Sequence, residues 1–318
     1  MAPMLDIADR LAMAPEVREA LAAGRAVVAL ESTLISHGLP YPQNLEVARA
    51  SEAAVRATGA VPATVAVHHG RLLIGLDAGS LESLATAPPG SVRKAARPSL
   101  AVALAAGGWA ATTVSATMIA AQAAGIRVFA TGGIGGVHRG ALGGGAGGRA
   151  ATLDISSDLE ELARTPMAVV CAGPKAILDV AATLEYLETR GVPVLAVGQD
   201  ELPGFFARSA GIRAPDSVPD VRGAANVVAT HLGLGLQAAI LVCVPVPPEE
   251  ALPDDVARDA VERAVRDADE AEVAGPALTP WLLDRIATLT GGTSVRANMA
   301  LIVNDARVAA EIATLLAP

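Results

Sequence analysis

The chain has 318 residues, of which 52% are hydrophobic and 2% aromatic, and it carries a formal net charge of −9. That content supports a large core built from Val, Leu, Ile and Ala. The acidic balance argues against general nucleic-acid binding, which needs a positive footprint, while leaving room for one small anion pocket.

In chain order, a helix is expected over 15–24 and a buried strand over 26–30, which feeds the polar turn 31–38. Ligands tend to sit at such carboxyl ends in open α/β sheets. A helix over 43–58 follows, then strands over 63–67 and 71–76 that read as a hairpin around His69-Gly70, with His68 and His69 as exposed turn residues. Helices over 80–87 and 99–106 flank a loop with the basic cluster 91–97. A strand over 111–115, a helix over 117–124 and a strand over 126–130 lead to the turn Thr131-Gly-Gly-Ile-Gly-Gly136. The glycine stretch from Ala141 to Ala151 reads as a flexible loop. A helix reaching 164 starts near Ser157 or Asp158, either of which suits an N-cap. Residues 167–179 read as strand, tight turn and helix start, the helix running to 190. Strands over 193–197 and 238–244, a helix over 224–232, the proline-rich connector 245–253, and helices over 254–271, 280–290 and 295–317 complete the chain. The alternation implies one three-layer α/β/α domain over 1–318, with a largely parallel central sheet and an early hairpin.

The two cysteines, Cys171 and Cys243, lie in apolar strand-like runs without a CxxC partner and read as buried thiols of a reducing compartment. The N-terminus, with Asp6 and Asp9, does not read as a secretory signal, and no uncharged apolar run is long enough to span a membrane. The expectation is a soluble, cytoplasmic protein with no membrane or nucleic-acid partner.

Among the 24 basic residues only Lys94 and Lys175 are lysines. An amine can lose its proton and attack a carbonyl carbon, which an arginine cannot, so a Schiff-base nucleophile is Lys94, Lys175 or the N-terminus. Compositional bias toward Ala, Gly and Arg could by itself account for the count. Glu31 reads either as a charge beside a loop or as a general acid with its pKa raised by partial burial. His138 orders its loop or serves a site. Of Asp154 and Asp158, one carboxylate could bind a hard cation, while the hydroxyls of Ser156 and Ser157 and the free N–H groups of the helix start hold an anion. Any metal there has few protein ligands and several waters, which suits Mg²⁺ or Mn²⁺. Lys94, with Arg93 and Arg97, is a solvated cluster or a phosphate contact. Asn298, in an apolar helix, caps a loop or contacts a ligand. His37 and His231 carry no specific reading. The glycine turn lacks both the dinucleotide and the P-loop pattern.

Taken together, Leu30-Glu-Ser-Thr-Leu-Ile-Ser-His-Gly-Leu-Pro-Tyr-Pro-Gln-Asn44, Phe129-Ala-Thr-Gly-Gly-Ile-Gly-Gly-Val-His-Arg-Gly140, Asp154-Ile-Ser-Ser-Asp158, Val170-Cys-Ala-Gly-Pro-Lys-Ala-Ile-Leu-Asp179 and Leu184-Glu-Tyr-Leu-Glu-Thr-Arg-Gly191 resemble the pseudouridine-5′-phosphate glycosidase family, also called indigoidine synthase A-like. The resemblance runs in order from about residue 15 to the C-terminus. It implies reversible cleavage of the C–C glycosidic bond of pseudouridine 5′-phosphate to uracil and ribose 5-phosphate, with Mn²⁺ and a homotrimer. It further implies Lys175 as the nucleophile forming a Schiff base at C1′, Glu31 as proton donor and Asp154 as metal ligand. Ser156, Ser157 and Asp158 correspond to a substrate-binding segment. Lys94 and Val114 match other substrate contacts, Val114 through its backbone, and His138 and Asn298 match further site positions. A C-glycoside has no leaving oxygen, so the chemistry calls for an amine and an acid rather than two carboxylates alone. The family's short link between the His-Arg-Gly turn and the metal Asp is longer here. Its Lys-Ala-Ser-Arg-Arg-Asp appears as Lys94-Ala-Ala-Arg-Pro-Ser99, and its Asn-Pro-Ile-Pro as Val244-Pro-Val-Pro247. Two other readings stay open: a Schiff-base aldolase or lyase on another sugar phosphate, and a non-catalytic accessory protein of a pigment pathway.

Overall fold

Short apolar runs, each bounded by a glycine or a capping residue, become strands and helices in alternation. The computed structural model describes residues 7–143, 151–273 and 278–317. The N-terminal part contains β1 (Leu11–Met13), α1 (Pro15–Ala22), β2 (Val27–Leu30), α2 (Gln43–Ala57), β3 (Val61–His68), β4 (Arg71–Ile74) and α3 (Ala78–Ala85). Next come β5 (Arg93–Ala95), α4 (Leu100–Ala106), β6 (Ala110–Thr112), α5 (Val114–Ala123), β7 (Val128–Ala130) and β8 (Val137–His138). Then follow α6 (Ser157–Leu162), β9 (Ala168–Cys171), β10 (Leu178–Asp179), α7 (Val180–Thr189), β11 (Val194–Val197), β12 (Asp216–Val218) and α8 (Val221–Gly233). The chain closes with β13 (Ile240–Cys243), α9 (Asp254–Glu270), α10 (Leu278–Leu289) and α11 (Thr293–Leu316).

The main sheet has the order β1-β4-β3-β2-β7-β9-β13-β11-β12. Every pairing from β3 through β12 along that path is parallel. Its central strands are buried along their whole length, as expected for a sheet covered on both faces. Alternate residues serve opposite faces. Val27, Ala29, Phe129, Val169 and Leu241 join the core under α1, α5 and α6. Val28, Leu30, Val128, Val170 and Val242 join the core under α8 and α11. Helix α11 packs along β2, β7 and β9 and against α2 and α8, so it is the central rod of its layer.

Beside the parallel block sits a smaller mixed one. Strands β3 and β4 pair antiparallel across His69-Gly70, β6 pairs antiparallel with β3, and β5 runs parallel to β6. The first four residues of β3 pair with β2, and β6 meets Ala66 and Val67 further along. Strand β6 therefore runs toward the carboxyl end of β2 from the opposite direction, and the Thr112 hydroxyl donates to the Val65 carbonyl at 2.7 Å. No helix among the described residues is long and apolar enough to cross a membrane.

Several local expectations are corrected. Helix α5 starts at Val114 rather than 117, with Thr113 extended as its cap residue, so Val114 is helical and not in a strand. Lys94 lies in β5, not in a loop. After Lys175 the chain forms β10 against β8, and α7 begins only at Val180, capped by Asp179 through a 3.0 Å bond from the Ala182 N–H. The α6 cap is Ser156, whose hydroxyl accepts from the Asp158 N–H at 3.2 Å, not Ser157 or Asp158. His68 is not a free turn residue: its ring stacks on Trp109 with centroids 4.0 Å apart. Of the glycine insertion, residues 144–150 lie outside the described residues.

Candidate active site

The candidate site forms where β2, β7 and β9 end and β6 arrives from the other side. Glu31 is the first residue past β2 and is only 7% exposed. Its two carboxylate oxygens are held by different hydroxyls, Thr33 donating to Oε2 and Thr131 to Oε1. Thr131 is the first residue past β7 and its own N–H donates to Val170 O at 3.0 Å. The acid is thus fixed by two adjacent strand ends.

Lys175 leaves β9 through a turn zipped to the glycine turn by backbone bonds. Ala172 N–H donates to Gly132 O, Ile134 N–H to Gly173 O and Lys175 N–H to Ile134 O, each at 3.1 Å. Gly173 adopts φ +88°, a left-handed conformation that favours glycine, and its N–H donates to the Cys171 thiol sulfur at 3.3 Å. The turn glycines are required by close approach. A Cβ on Gly135 would overlap the Ser156 side chain and lie 2.8 Å from Asp158 Oδ2, and one on Gly133 would lie 2.5 Å from the Phe205 ring.

Asp158 is buried and accepts the Ser115 N–H at Oδ1 and the Gly135 N–H at Oδ2, both at 3.0 Å. It locks the α5 start, the glycine turn and the α6 start together. Ser157 Oγ lies 3.3 Å from Ser115 Oγ, and the Arg97 N–H donates to that same Ser115 hydroxyl at 3.1 Å. The β5 segment carrying Lys94 is tied in by this bond and by the Arg97–Glu161 ion pair. The Val114 side chain is 1% exposed, which leaves its backbone, at the N-terminus of α5, as the part that could meet a ligand.

Electrostatics link Lys94 to the other charged groups. Burial, and then the Lys175 ammonium, pull the Lys94 amine below its ordinary value, while Glu31 and Asp158 pull it up. As a whole residue Lys94 is exposed, yet protein atoms crowd its amine enough for desolvation to dominate. His37, on the turn after Glu31, is shifted down by burial and then by Lys94, which places it at the same cleft. The chain's only two lysines and two of its buried carboxylates therefore converge.

The remaining positions are more peripheral. His138 N–H donates to Asp154 O at 3.0 Å, and its Nδ1 is 3.9 Å from Asp154 Oδ2. Asp154 is exposed, and among the described residues no three His, Cys, Asp or Glu side chains converge as a metal cage. A single hard, solvent-facing oxygen fits a largely hydrated divalent ion and does not fit a closed all-protein site. Asn298 is half-buried on α11, one turn before Ile302, whose side chain a Cβ on Gly132 would strike at 2.7 Å. The sequence reading missed Thr33, Thr131 and His37. A threonine directly after the β7 strand and before the glycines was the available signal.

Comparison with known proteins identifies relatives over nearly the whole chain. The family model described as indigoidine synthase A like protein matches residues 16–315. A pseudouridine-5′-phosphate glycosidase of Paracoccus denitrificans is 52% identical over 307 residues, covering 96% of this chain and 98% of its own. One of Solibacter usitatus is 53% identical, covering 95% and 98%. The crystal structure of the prealnumycin C-glycosynthase AlnA, in complex with ribulose 5-phosphate, superimposes with a TM-score of 0.85 at 37% identity, over 96% of this chain and 97% of that one.

Proposed function

The chain belongs to the indigoidine synthase A like protein family, and we propose that it reversibly cleaves the C–C glycosidic bond of pseudouridine 5′-phosphate, giving uracil and ribose 5-phosphate. The observation that carries this reading is the convergence of Lys175, Lys94, Glu31 and Asp158 on one cleft, in a chain half identical to relatives named for that reaction.

Lys175, as the neutral amine, bonds to C1′ while the C1′–O4′ bond breaks with its electron pair going to O4′, and O4′ takes up the proton that the nitrogen loses, so the ribose ring opens. Glu31 delivers a proton to the uracil carbon attached to C1′. The C1′–C bond then breaks: its electrons restore the ring double bond, and the nitrogen lone pair closes the C1′ iminium. Water adds to the iminium, releasing ribose 5-phosphate and returning the amine. Lys94, the Val114 backbone and the Ser156–Asp158 segment serve substrate binding, with Lys94 on the phosphate side. His138 and Asn298 border the substrate from the β8 side and from α11. Asp154 would hold a divalent ion, Mn²⁺ in this reading, which would supply positive charge near the anionic substrate. The same reading takes the assembly as a homotrimer.

AlnA, named as a C-glycosynthase and bound to a pentose phosphate, favours C-glycoside chemistry over an aldolase reaction on another sugar phosphate. The test is uracil release from pseudouridine 5′-phosphate, run beside simple sugar phosphates, with borohydride trapping of ribose 5-phosphate. Uracil release together with a reduced adduct on the peptide containing Lys175 is expected. Turnover of other sugar phosphates without uracil release would refute the reading.

A further inference from the structure

Delivering a proton to the departing uracil carbon leaves Glu31 ionised, so each turnover has to recharge it. Glu31 is only 7% exposed, and hydroxyls of Thr33 and Thr131 already engage both its oxygens. While a substrate or product fills the cleft, the open side is a poor entrance for a proton. A route from behind would not have to wait for the cleft to clear.

The neighbouring strand and helix supply the groups for such a route. Leu30, directly before Glu31, pairs with Thr64 of β3. The buried Thr64 hydroxyl lies 2.6 Å from Oε1 of Glu52, a half-buried residue of α2. Thr64 and Glu31 border one small cavity of about 10 Å³, whose other polar walls are Ser51 and Thr131 and whose apolar walls include Leu30 and Ile302. That volume suits about one water, and four polar side chains are enough to hold it. The Ser51 hydroxyl donates to Val47 O at 2.8 Å, which leaves its oxygen able to accept.

We propose that Glu52, the Thr64 hydroxyl and one water in this cavity form a proton path that recharges Glu31 from the α2 side. Glu52 gives its proton to Thr64 Oγ1, the Thr64 hydrogen passes to the water, and a water hydrogen passes to the Glu31 carboxylate. Glu52 is left ionised and, being half-buried, takes a proton back from solvent. The proton set free when water adds to the C1′ iminium leaves to solvent, so every group returns to its starting state. Burial raises the Glu52 carboxyl above its ordinary value; the Thr64 bond and then Arg56 oppose the shift, Glu16 adds to it and Arg49 opposes it. Glu52 therefore keeps a proton to higher pH than an exposed glutamate. The proposal rests on the reading of Glu31 as the proton donor in uracil release.

The test separates the first turnover from those that follow. Glu52→Gln and Thr64→Val are mixed rapidly with excess pseudouridine 5′-phosphate, and uracil is followed. The first turnover uses the proton already on Glu31, so one uracil per subunit should appear at a rate within about twofold of the unsubstituted protein. The steady rate should then fall about tenfold or more, because proton transfer by a positioned group contributes at least that much. Thr64→Ser, which keeps the hydroxyl, should hold the steady rate within about threefold. An unchanged steady rate in Glu52→Gln overturns the proposal. So does a first turnover slowed as much as the later ones, the result of a merely structural role, and so does a loss that Thr64→Ser shares. Should Thr64→Val not fold, Glu52→Gln, a near-isosteric change on a half-buried residue, supplies the same comparison. If the unsubstituted protein releases no uracil, the functional reading fails and the path with it; normal release in the unsubstituted protein and in both variants refutes the path alone.

Discussion

The hold on Glu31 can be tested by replacing Thr131 with Val, a near-isosteric change that removes one hydroxyl. Thr131 donates to Oε1 of Glu31 while Thr33 holds Oε2, and both Glu31 and Thr131 are buried. A hydrogen bond to a charged group contributes about 1.5–3 kcal/mol net. If that energy keeps the carboxyl aimed at the departing carbon, its loss appears in the barrier, at a factor of ten for each 1.36 kcal/mol or so. The expected fall in kcat is therefore roughly 10- to 150-fold. KM should stay within about twofold, because Thr131 is not assigned to substrate binding. Uracil release under saturating substrate gives kcat, and thermal unfolding checks the fold. Thr131→Ser, which retains the hydroxyl, should recover most of the rate. A well-folded Thr131→Val protein with kcat within about twofold of the original would refute the argument that this bond orients the acid.

Three other outcomes follow from the site. The lowered pKa of Lys94 means that its charge is present on the acid side and is lost as pH rises through that lowered value; KM for the phosphorylated substrate should rise at lower pH than for an ordinary lysine, and Lys94→Arg should flatten that limb of the KM–pH profile. Gly135→Ala sets a methyl group against Ser156 and Asp158; it should destabilise the fold by about 1–3 kcal/mol, read as a lower midpoint in urea, and reduce kcat/KM as the α6 start is displaced. Chelation should stop uracil release and Mn²⁺ restore it, with Asp154→Asn requiring more Mn²⁺ for half-maximal rate; activity indifferent to chelator would count against Asp154.

The layers of the fold were legible because strands such as 26–30 and 238–244 are short continuous apolar runs between glycines and charged turns, the pattern of a sheet buried on both faces. The pieces that escaped depend on partners distant in sequence. Arg93–Ala95 is charged and only three residues long, and it is a strand because Lys94 pairs with Ala111. Val137–His138 follows four glycines within five residues and gains its state from Leu178 and Asp179. The start of α5 was misplaced because Thr112-Thr113-Val114 is β-branched and reads as strand, whereas the Asp158 carboxylate, 43 residues on, receives the Ser115 N–H and stabilises a helix start there. The candidate site positions were read from their motifs. The threonines that hold Glu31 and the Thr64–Glu52 contact could not be, because both depend on which strand ends and helix faces meet.

The meeting of opposed strands explains why this site needs the mixed block at all. A purely parallel sheet presents its carboxyl ends in one row, and the groups following β2, β7 and β9 all leave in the same direction. Here β3 runs for eight residues, twice the length of β2, and its second half carries β6, with β5 beyond, back toward that row. Lys94 therefore approaches Lys175 from a separate block, and the two lysine side chains share one cleft, which neither strand pattern alone would favour. The arrangement is tolerable because Glu31 and Asp158 oppose the repulsion at Lys94, and because each is itself fixed by hydrogen bonds from the adjoining turns. An anionic substrate entering between the blocks would relieve the remaining like-charge repulsion, so the charge arrangement that burdens the empty cleft favours a phosphorylated ligand over its dephosphorylated form.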